Sequence, residues 1–136
     1  MRAVLDADVL VSALLSEAGT PGQILTRWIE GEYELCASPH LLDEVRRTLS
    51  SPKFRGRFEP DEPASYVAFV GEHATMASDP EAPPPRTPDA DDDYLLALAE
   101  TQRAVLVTGD QHLLGLADSF PILTPKEFLH TLEAES

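Results

Sequence analysis

The 136-residue chain has a single cysteine, Cys36. One thiol closes no internal disulfide and offers no cluster for structural zinc, so the chain is not a disulfide scaffold and suits a reducing compartment. Set in the apolar stretch Tyr33–Ala37, Cys36 reads as a small buried hydrophobe. Long apolar runs are missing as well. Ala3 to Leu15 comes nearest to an export or membrane segment, but Asp6 and Asp8 interrupt it. A charge in such a place costs about 2.5–3.5 kcal/mol on insertion scales. Nothing approaches the roughly 20 apolar residues of a membrane span, and the reading is a soluble, cytoplasmic protein with no membrane partner. His40, His73, His112 and His130 form no close ligand pair, and no Walker loop or Gly-rich dinucleotide fingerprint occurs. Those histidines are assigned to surface or core.

Positive charge is also scarce: 10 Lys and Arg stand against 24 Asp and Glu, for a net charge of −14. On that total a nucleic-acid partner is disfavoured, because phosphates repel an acidic surface. The distribution answers part of the objection. Between Asp43 and Arg57, Arg46, Arg47, Lys53, Arg55 and Arg57 face only Asp43 and Glu44, a local charge of +3. From Glu59 to Asp93 ten acids face Arg86 alone, a local charge of −9. Segregation on this scale suits a chain in which some of the acid is ligand rather than solubiliser.

What is present is an ordinary globular composition, 43% hydrophobic and 25% charged, at a length that suits one domain over residues 1–136. Ala3–Leu5 reads as a short strand ending at Asp6. Pro21–Glu30 carries Ile24, Leu25, Trp28 and Ile29 at helical spacing, stopped by Gly31. Tyr33–Ala37 is a second strand. Ser38-Pro39 is an N-cap with a first-turn proline, opening a helix to about Leu49. Glu62–Met76 reads as helix. Asp79–Ala90 holds Pro80, Pro83, Pro84, Pro85 and Pro88 and must be an extended connection. Asp91–Arg103 is a helix, Ala104–Thr108 a strand, Gln111–Ala117 a short helix, Pro121–Leu123 a last strand and Pro125–Glu133 a final helix. Strands alternating with helices imply an α/β domain with a mainly parallel central sheet.

In such a sheet, ligands bind beyond the carboxyl ends of the strands. Asp6 closes the first strand, and Asp110 follows Thr108 after one glycine, so both belong on the same rim. Glu44 lies on the helix Pro39–Leu49, nearer than Asp43 to the apolar stripe of Leu41, Leu42, Val45 and Leu49. Asp91-Asp92-Asp93 opens a helix, where one aspartate would suffice as a cap. Asp92 shares a face with Leu95, Leu96 and Ala99, whereas Asp93 sits above Glu100 and tilts toward water; Asp92 is therefore the candidate ligand. Four carboxylates converging on one pocket repel one another, and a divalent cation with oxygen ligands removes the conflict. It would also activate water and neutralise a phosphoryl oxygen.

These residues match a family. The segments Val4–Ala13, Ser38–Glu44, Asp91–Ala99 and Leu106–Asp110, in this order and at these separations, resemble PIN domains, in particular the VapC-like toxin ribonucleases. The resemblance covers nearly the whole chain. It implies a three-layer α/β/α sandwich of the RNase-H-like kind, with Asp6, Glu44, Asp92 and Asp110 as catalytic metal ligands. It also implies a Mg²⁺- or Mn²⁺-dependent endoribonuclease, often a homodimer held inactive by an antitoxin. Thr108 matches a hydroxyl position near the metal. Asp8 departs from the family's usual asparagine; Asp8, Thr108 and Asp93 are assigned supporting places. RNA is expected along Arg46, Arg47, Lys53, Arg55 and Arg57. Two other readings compete. Leu5-Asp6-Ala7-Asp8-Val9 looks like the Asp-x-Asp of haloacid-dehalogenase-type phosphatases, but Leu114 stands where such enzymes need a second acid after Asp110. An inactive PIN-like module that binds RNA or protein is the other.

Overall fold

A computed structural model describes residues 1–135. Strand β1 (Arg2–Leu5) leads into α1 (Ala7–Leu15) and α2 (Thr20–Ile29), then β2 (Glu34–Ala37), α3 (Pro39–Leu49), α4 (Glu62–His73) and β3 (Thr75–Met76). After the proline-rich connection come α5 (Asp93–Thr101), β4 (Val105–Val107), α6 (Gln111–Leu114), β5 (Ile122–Leu123) and α7 (Pro125–Glu135). Among the described residues the five strands form one parallel sheet in the order β3-β2-β1-β4-β5. The central register pairs Ala3 with Leu35 on one side and with Val105 on the other.

The strands are apolar on both faces because both faces are covered. Val4, Leu5, Leu35, Cys36, Leu106 and Val107 are all fully buried. Each such leucine contributes roughly 1.5–3 kcal/mol. The chain steps from β1 outward to β3, then returns across the sheet to β4 and steps outward the other way. Right-handed crossovers consequently place α1 to α4 on one face and α5 on the other. The packing agrees: α1 meets α2 and α3, α3 meets α4, α7 meets α2, and α5 lies on β1 and β4. This is the expected three-layer α/β/α arrangement.

Helix α3 forms where its cap and stripe place it. Ser38 Oγ accepts the Leu41 amide at 3.3 Å, Pro39 occupies the first turn, and Leu41, Leu42, Val45 and Leu49 are buried. Three expectations need correction. The periodicity marks no helix after Asp6, yet α1 occupies Ala7–Leu15; it is apolar nearly all round, so it lacks the one-sided period that marks a surface helix. The helix read through Met76 stops at His73, and Thr75–Met76 becomes the edge strand β3, too short to show alternation. The helix read from Asp91 starts at Asp93, after a 3₁₀ turn over Ala90–Asp92. The connection between Ala77 and Asp89 has neither helix nor strand, as its prolines require.

The turn between α1 and α2 depends on Gly22. A Cβ added there would lie 2.3 Å from the Ser16 carbonyl oxygen and 2.4 Å from that of Glu17. Alanine is the better helix former, by about 1 kcal/mol, yet the clash is with backbone and cannot be relieved by a rotamer change. Gly22→Ala is therefore expected to destabilise the fold by about 1–3 kcal/mol, as overpacking does. Chemical denaturation measures this; an unchanged or raised stability would contradict the close approach.

Candidate functional site

The strand order reverses at β1 and β4, and in open parallel sheets that point opens a crevice at the carboxyl ends. Asp6 stands at the end of β1 and at the N-cap position of α1, with its main-chain oxygen accepting the amides of Val9 at 3.0 Å and Leu10 at 3.1 Å. Its side chain makes no capping bond. Instead Asp6 Oδ2 accepts the Thr108 hydroxyl at 2.7 Å, and Thr108 Oγ1 in turn accepts the Asp110 amide at 3.0 Å. Thr108 is fully buried and Asp6 is 9% exposed. Burial raises the Asp6 pKa above its ordinary value, the Thr108 bond opposes that rise, and the charges of Asp8 and Asp110 add to it.

Asp6, Asp8, Glu44 and Asp92 line one cleft of ≈ 490 Å³ together with Arg47, Thr48 and Ser51. Asp110 lies close enough to act on both Asp6 and Asp92 by charge. Asp110 Oδ1 accepts the His112 amide at 2.8 Å, fixing the start of α6. Asp92 is half-buried, and its pKa is pushed up to about 6 by desolvation first and then by the charges of Asp110, Asp6, Asp89 and Glu44. Among the described residues no basic side chain pairs with Asp6, Asp8 or Asp92. The cluster is an anionic pocket whose cleft aspartates have no paired cation among the described residues, although Arg47 lines the same cleft.

Glu44 is held from the side. The Tyr94 hydroxyl donates to Glu44 Oε2 at 2.9 Å, and His40 Nε2 lies 3.4 Å from Oε1. The His40 ring lies flat on Tyr94, with centroids 3.8 Å apart and planes 5° from parallel. Tyr94 is buried, and burial together with the neighbouring Glu44 charge drives its phenol well above the ordinary range.

Asp6, Glu44, Asp92 and Asp110 are thus brought together, with Asp8 and Thr108 beside them. Asp93 is not, and the expectation that it tilts toward water is overturned. It is buried, and its Oδ1 accepts the amides of Arg86 at 3.0 Å and Thr87 at 2.8 Å. The Thr87 side chain first, and then the Arg86 and Thr87 amides, hold its carboxyl below the ordinary range, and the two amide bonds pin the proline-rich connection to α5. The physical reason is the 3₁₀ turn, which rotates both aspartates away from the positions a continuous α-helix would give them. Of the basic stretch, Arg47 alone lines the cleft. Arg46 and Arg47 both pair with Asp43, at 2.8 and 3.0 Å, while Lys53, Arg55 and Arg57 are exposed beyond α3. Sequence reasoning missed His40 and Tyr94. His40 is four residues before Glu44, a helical spacing that signals contact; Tyr94 gave no signal, being 50 residues away from its partner.

Chemically, the donor set is all oxygen and mostly carboxylate, which suits a hard divalent cation. Among the described residues no three Asp, Glu, His or Cys side chains form a ready-made metal cage. That too is compatible with Mg²⁺, which keeps several waters and takes few protein ligands. The residues present fit such an ion by charge and donor type.

Fold and site together define an open parallel-sheet α/β protein with an acidic pocket at its topological switch point. The chain belongs to the PIN-domain family, whose model matches residues 2–112. This removes the phosphatase alternative. Over 143 aligned positions it is 27% identical to the uncharacterized protein MJ1680 of Methanocaldococcus jannaschii, covering 98% of this chain and 92% of that one. It is similar in fold to PAE2754 of Pyrobaculum aerophilum, with a TM-score of 0.67 at 20% identity over 98% of this chain and 96% of that one. VapBC-1 of nontypeable Haemophilus influenzae gives a TM-score of 0.63 at 12% identity, over 93% and 99%. Among the described residues no helix is long and apolar enough to cross a membrane.

Asp92→Asn is expected to stabilise the cation-free protein. Its folded pKa of about 6 exceeds the ordinary 3.8, so the folded chain binds more protons than the unfolded chain between those values. Stability must therefore fall as pH rises from about 4 to about 6. Above that window Asn should gain roughly 1 kcal/mol, after allowance for solvent screening of a half-buried group. Thermal melts in chelator between about pH 3 and 7 measure the gap; a gap independent of pH, or a less stable Asn variant, would contradict the repulsion.

Proposed function

We propose that this protein is a Mg²⁺- or Mn²⁺-dependent endoribonuclease, with residues 1–136 working as one nuclease domain. The observation that carries the reading is the set of carboxylates Asp6, Glu44, Asp92 and Asp110 around one cleft edge, with no cation paired with Asp6 or Asp92 among the described residues. PIN-domain proteins are generally nucleases and typically use divalent metals. Asp6, Asp92 and Asp110 would hold the ion, with Glu44 from the α3 wall. When bound, such an ion neutralises a phosphoryl oxygen and lowers the pKa of a coordinated water.

The chain's own residues do the rest. Thr108 orients Asp6 through its hydroxyl and favours its charged form against the effect of burial. Asp8, exposed in the first turn of α1, adds negative charge beside the ion without a fixed partner. Arg47, one turn past Glu44 on α3, lines the same cleft and would draw a phosphate toward the carboxylates. The RNA backbone would continue over Arg46, Lys53, Arg55 and Arg57, the one stretch with a local excess of positive charge. Likeness in fold to VapBC-1 supports an antitoxin partner; action in the cytoplasm as a homodimer is proposed with it.

RNA cleavage is expected to stop in excess chelator and to return with Mg²⁺ or Mn²⁺. Asp6→Asn should lower the rate by about 10²-fold or more, by analogy with loss of single electrostatic groups. Asp93→Asn should instead lower the melting temperature and leave much of the rate. Gel assays of a labelled single-stranded RNA decide this; full activity in chelator, or equal rates for the two variants, would overturn the reading.

Binding provides a separate check in a cleavage-dead Asp6→Asn background. Each phosphate-contacting cation adds a slope of about −0.7 in log affinity against log salt for single strands. Arg47→Ala is expected to flatten the slope by about 0.7. An unchanged slope would place the RNA path elsewhere.

A further inference from the structure

The carboxylate of Glu44 is engaged by the protein at both oxygens, unlike the other cleft acids. Oε2 accepts a hydrogen bond from the Tyr94 phenol at 2.9 Å, and Oε1 faces His40 Nε2 at 3.4 Å. These contacts come from two layers of the sandwich. His40 and Glu44 lie one turn apart on α3, while Tyr94 is the second residue of α5. Tyr94 is 4% exposed, so its ring is fixed by the core and its hydroxyl has little freedom. The His40 ring, stacked at 3.8 Å, closes the open side of that phenol. A buried phenol needs a partner for its hydroxyl, and Glu44 fills that need. The same bond restrains a glutamate that otherwise has three rotatable bonds and stands half-buried at the cleft wall.

We propose that Tyr94, braced by His40, is a positioning residue for Glu44: it orders this carboxylate toward the cation site, and so sets cation affinity through α5 rather than by contact with the cation. The inference rests on the metal-dependent reading above. Groups that orient ligands in this way change metal affinity by about 10–100-fold when removed. They do so because the free carboxylate must then lose its rotamer freedom on binding. A purely structural alternative has the dependence reversed, with Glu44 present only to satisfy the phenol.

The test titrates Mn²⁺ into the purified protein, with free Mn²⁺ read by electron paramagnetic resonance and no RNA present. Tyr94→Phe keeps the ring and the stack and removes only the hydroxyl. It should weaken Mn²⁺ binding by about 10-fold or more. In a Glu44→Gln background the same change should add little, because the two act on one interaction. Unchanged Mn²⁺ affinity in Tyr94→Phe with a lowered melting temperature would overturn the proposal in favour of the structural alternative. Equal, additive losses in both backgrounds would also overturn it. Should Tyr94→Phe not fold, His40→Ala and His40→Phe replace it. The alanine variant should lose about 10-fold in affinity, and the phenylalanine variant, which preserves the stack, should lose less; equal affinity in both and in wild type would overturn the brace. Absence of Mn²⁺ binding by the wild-type protein is a distinct result, which removes the metal-dependent reading and this inference with it.

Discussion

The hydrogen bond from Thr108 to Asp6, 2.7 Å long, joins the carboxyl ends of the two central strands across 102 residues of sequence. The site depends on it. Without that donor, a carboxylate 9% exposed and close to Asp8 and Asp110 would lose the largest contribution in favour of its charge, leaving the smaller one of the Asp8 amide against burial and repulsion. With it, Asp6 gives up the N-cap bond that an aspartate in its position ordinarily makes, a sacrifice of about 1 kcal/mol. The same hydroxyl receives the Asp110 amide at 3.0 Å, so one buried threonine sets the relative height of two acids. The parallel pairing of Leu5 with Val107 is what brings Thr108 within reach.

The remaining acids divide by what they touch. Asp93 and Asp92 are neighbours in sequence with opposite surroundings: one accepts two backbone amides and is held ionised, the other faces four like charges and is pushed toward neutrality. The first contributes order, tying the proline-rich connection to α5. The second stores repulsion that a cation would release. A fold can tolerate this because its core is elsewhere, in fully buried side chains such as Leu5, Leu35, Leu106 and Phe128. Sites that oppose local stability for chemistry are where sequence rules for stability are expected to fail.

Much of this arrangement was legible from sequence. Ser38-Pro39 with Leu41, Leu42, Val45 and Leu49 located α3, and the apolar runs at Ala3–Leu5 and Val105–Val107 located the two strands that matter most. Asp6 and Asp110 followed from the rule about strand ends. Two kinds of information were hidden. Helix α1 is apolar at all positions but Asp8 and Ser12, so its sequence shows no single apolar face, and β3 has only two residues. The turn at Asp91–Asp93 hid the other: helical periodicity counted from Asp91 puts Asp92 on the apolar face and Asp93 in water, but regular α-helix begins at Asp93, which is buried. Long-range polar contacts such as Tyr94 to Glu44 have no periodicity to reveal them.

The central claim is that the acids at the β1–β4 switch point are a cation site. Anomalous diffraction from crystals soaked in Mn²⁺ tests it most directly, because the ion's position is seen without reference to activity. The expected result is a peak in the cleft with carboxylate oxygens of Asp6, Asp92 or Asp110 coordinated to it. A cleft without a peak in crystals that diffract well, or Mn²⁺ bound only at other acids such as those of the 59–62 segment, would contradict the account.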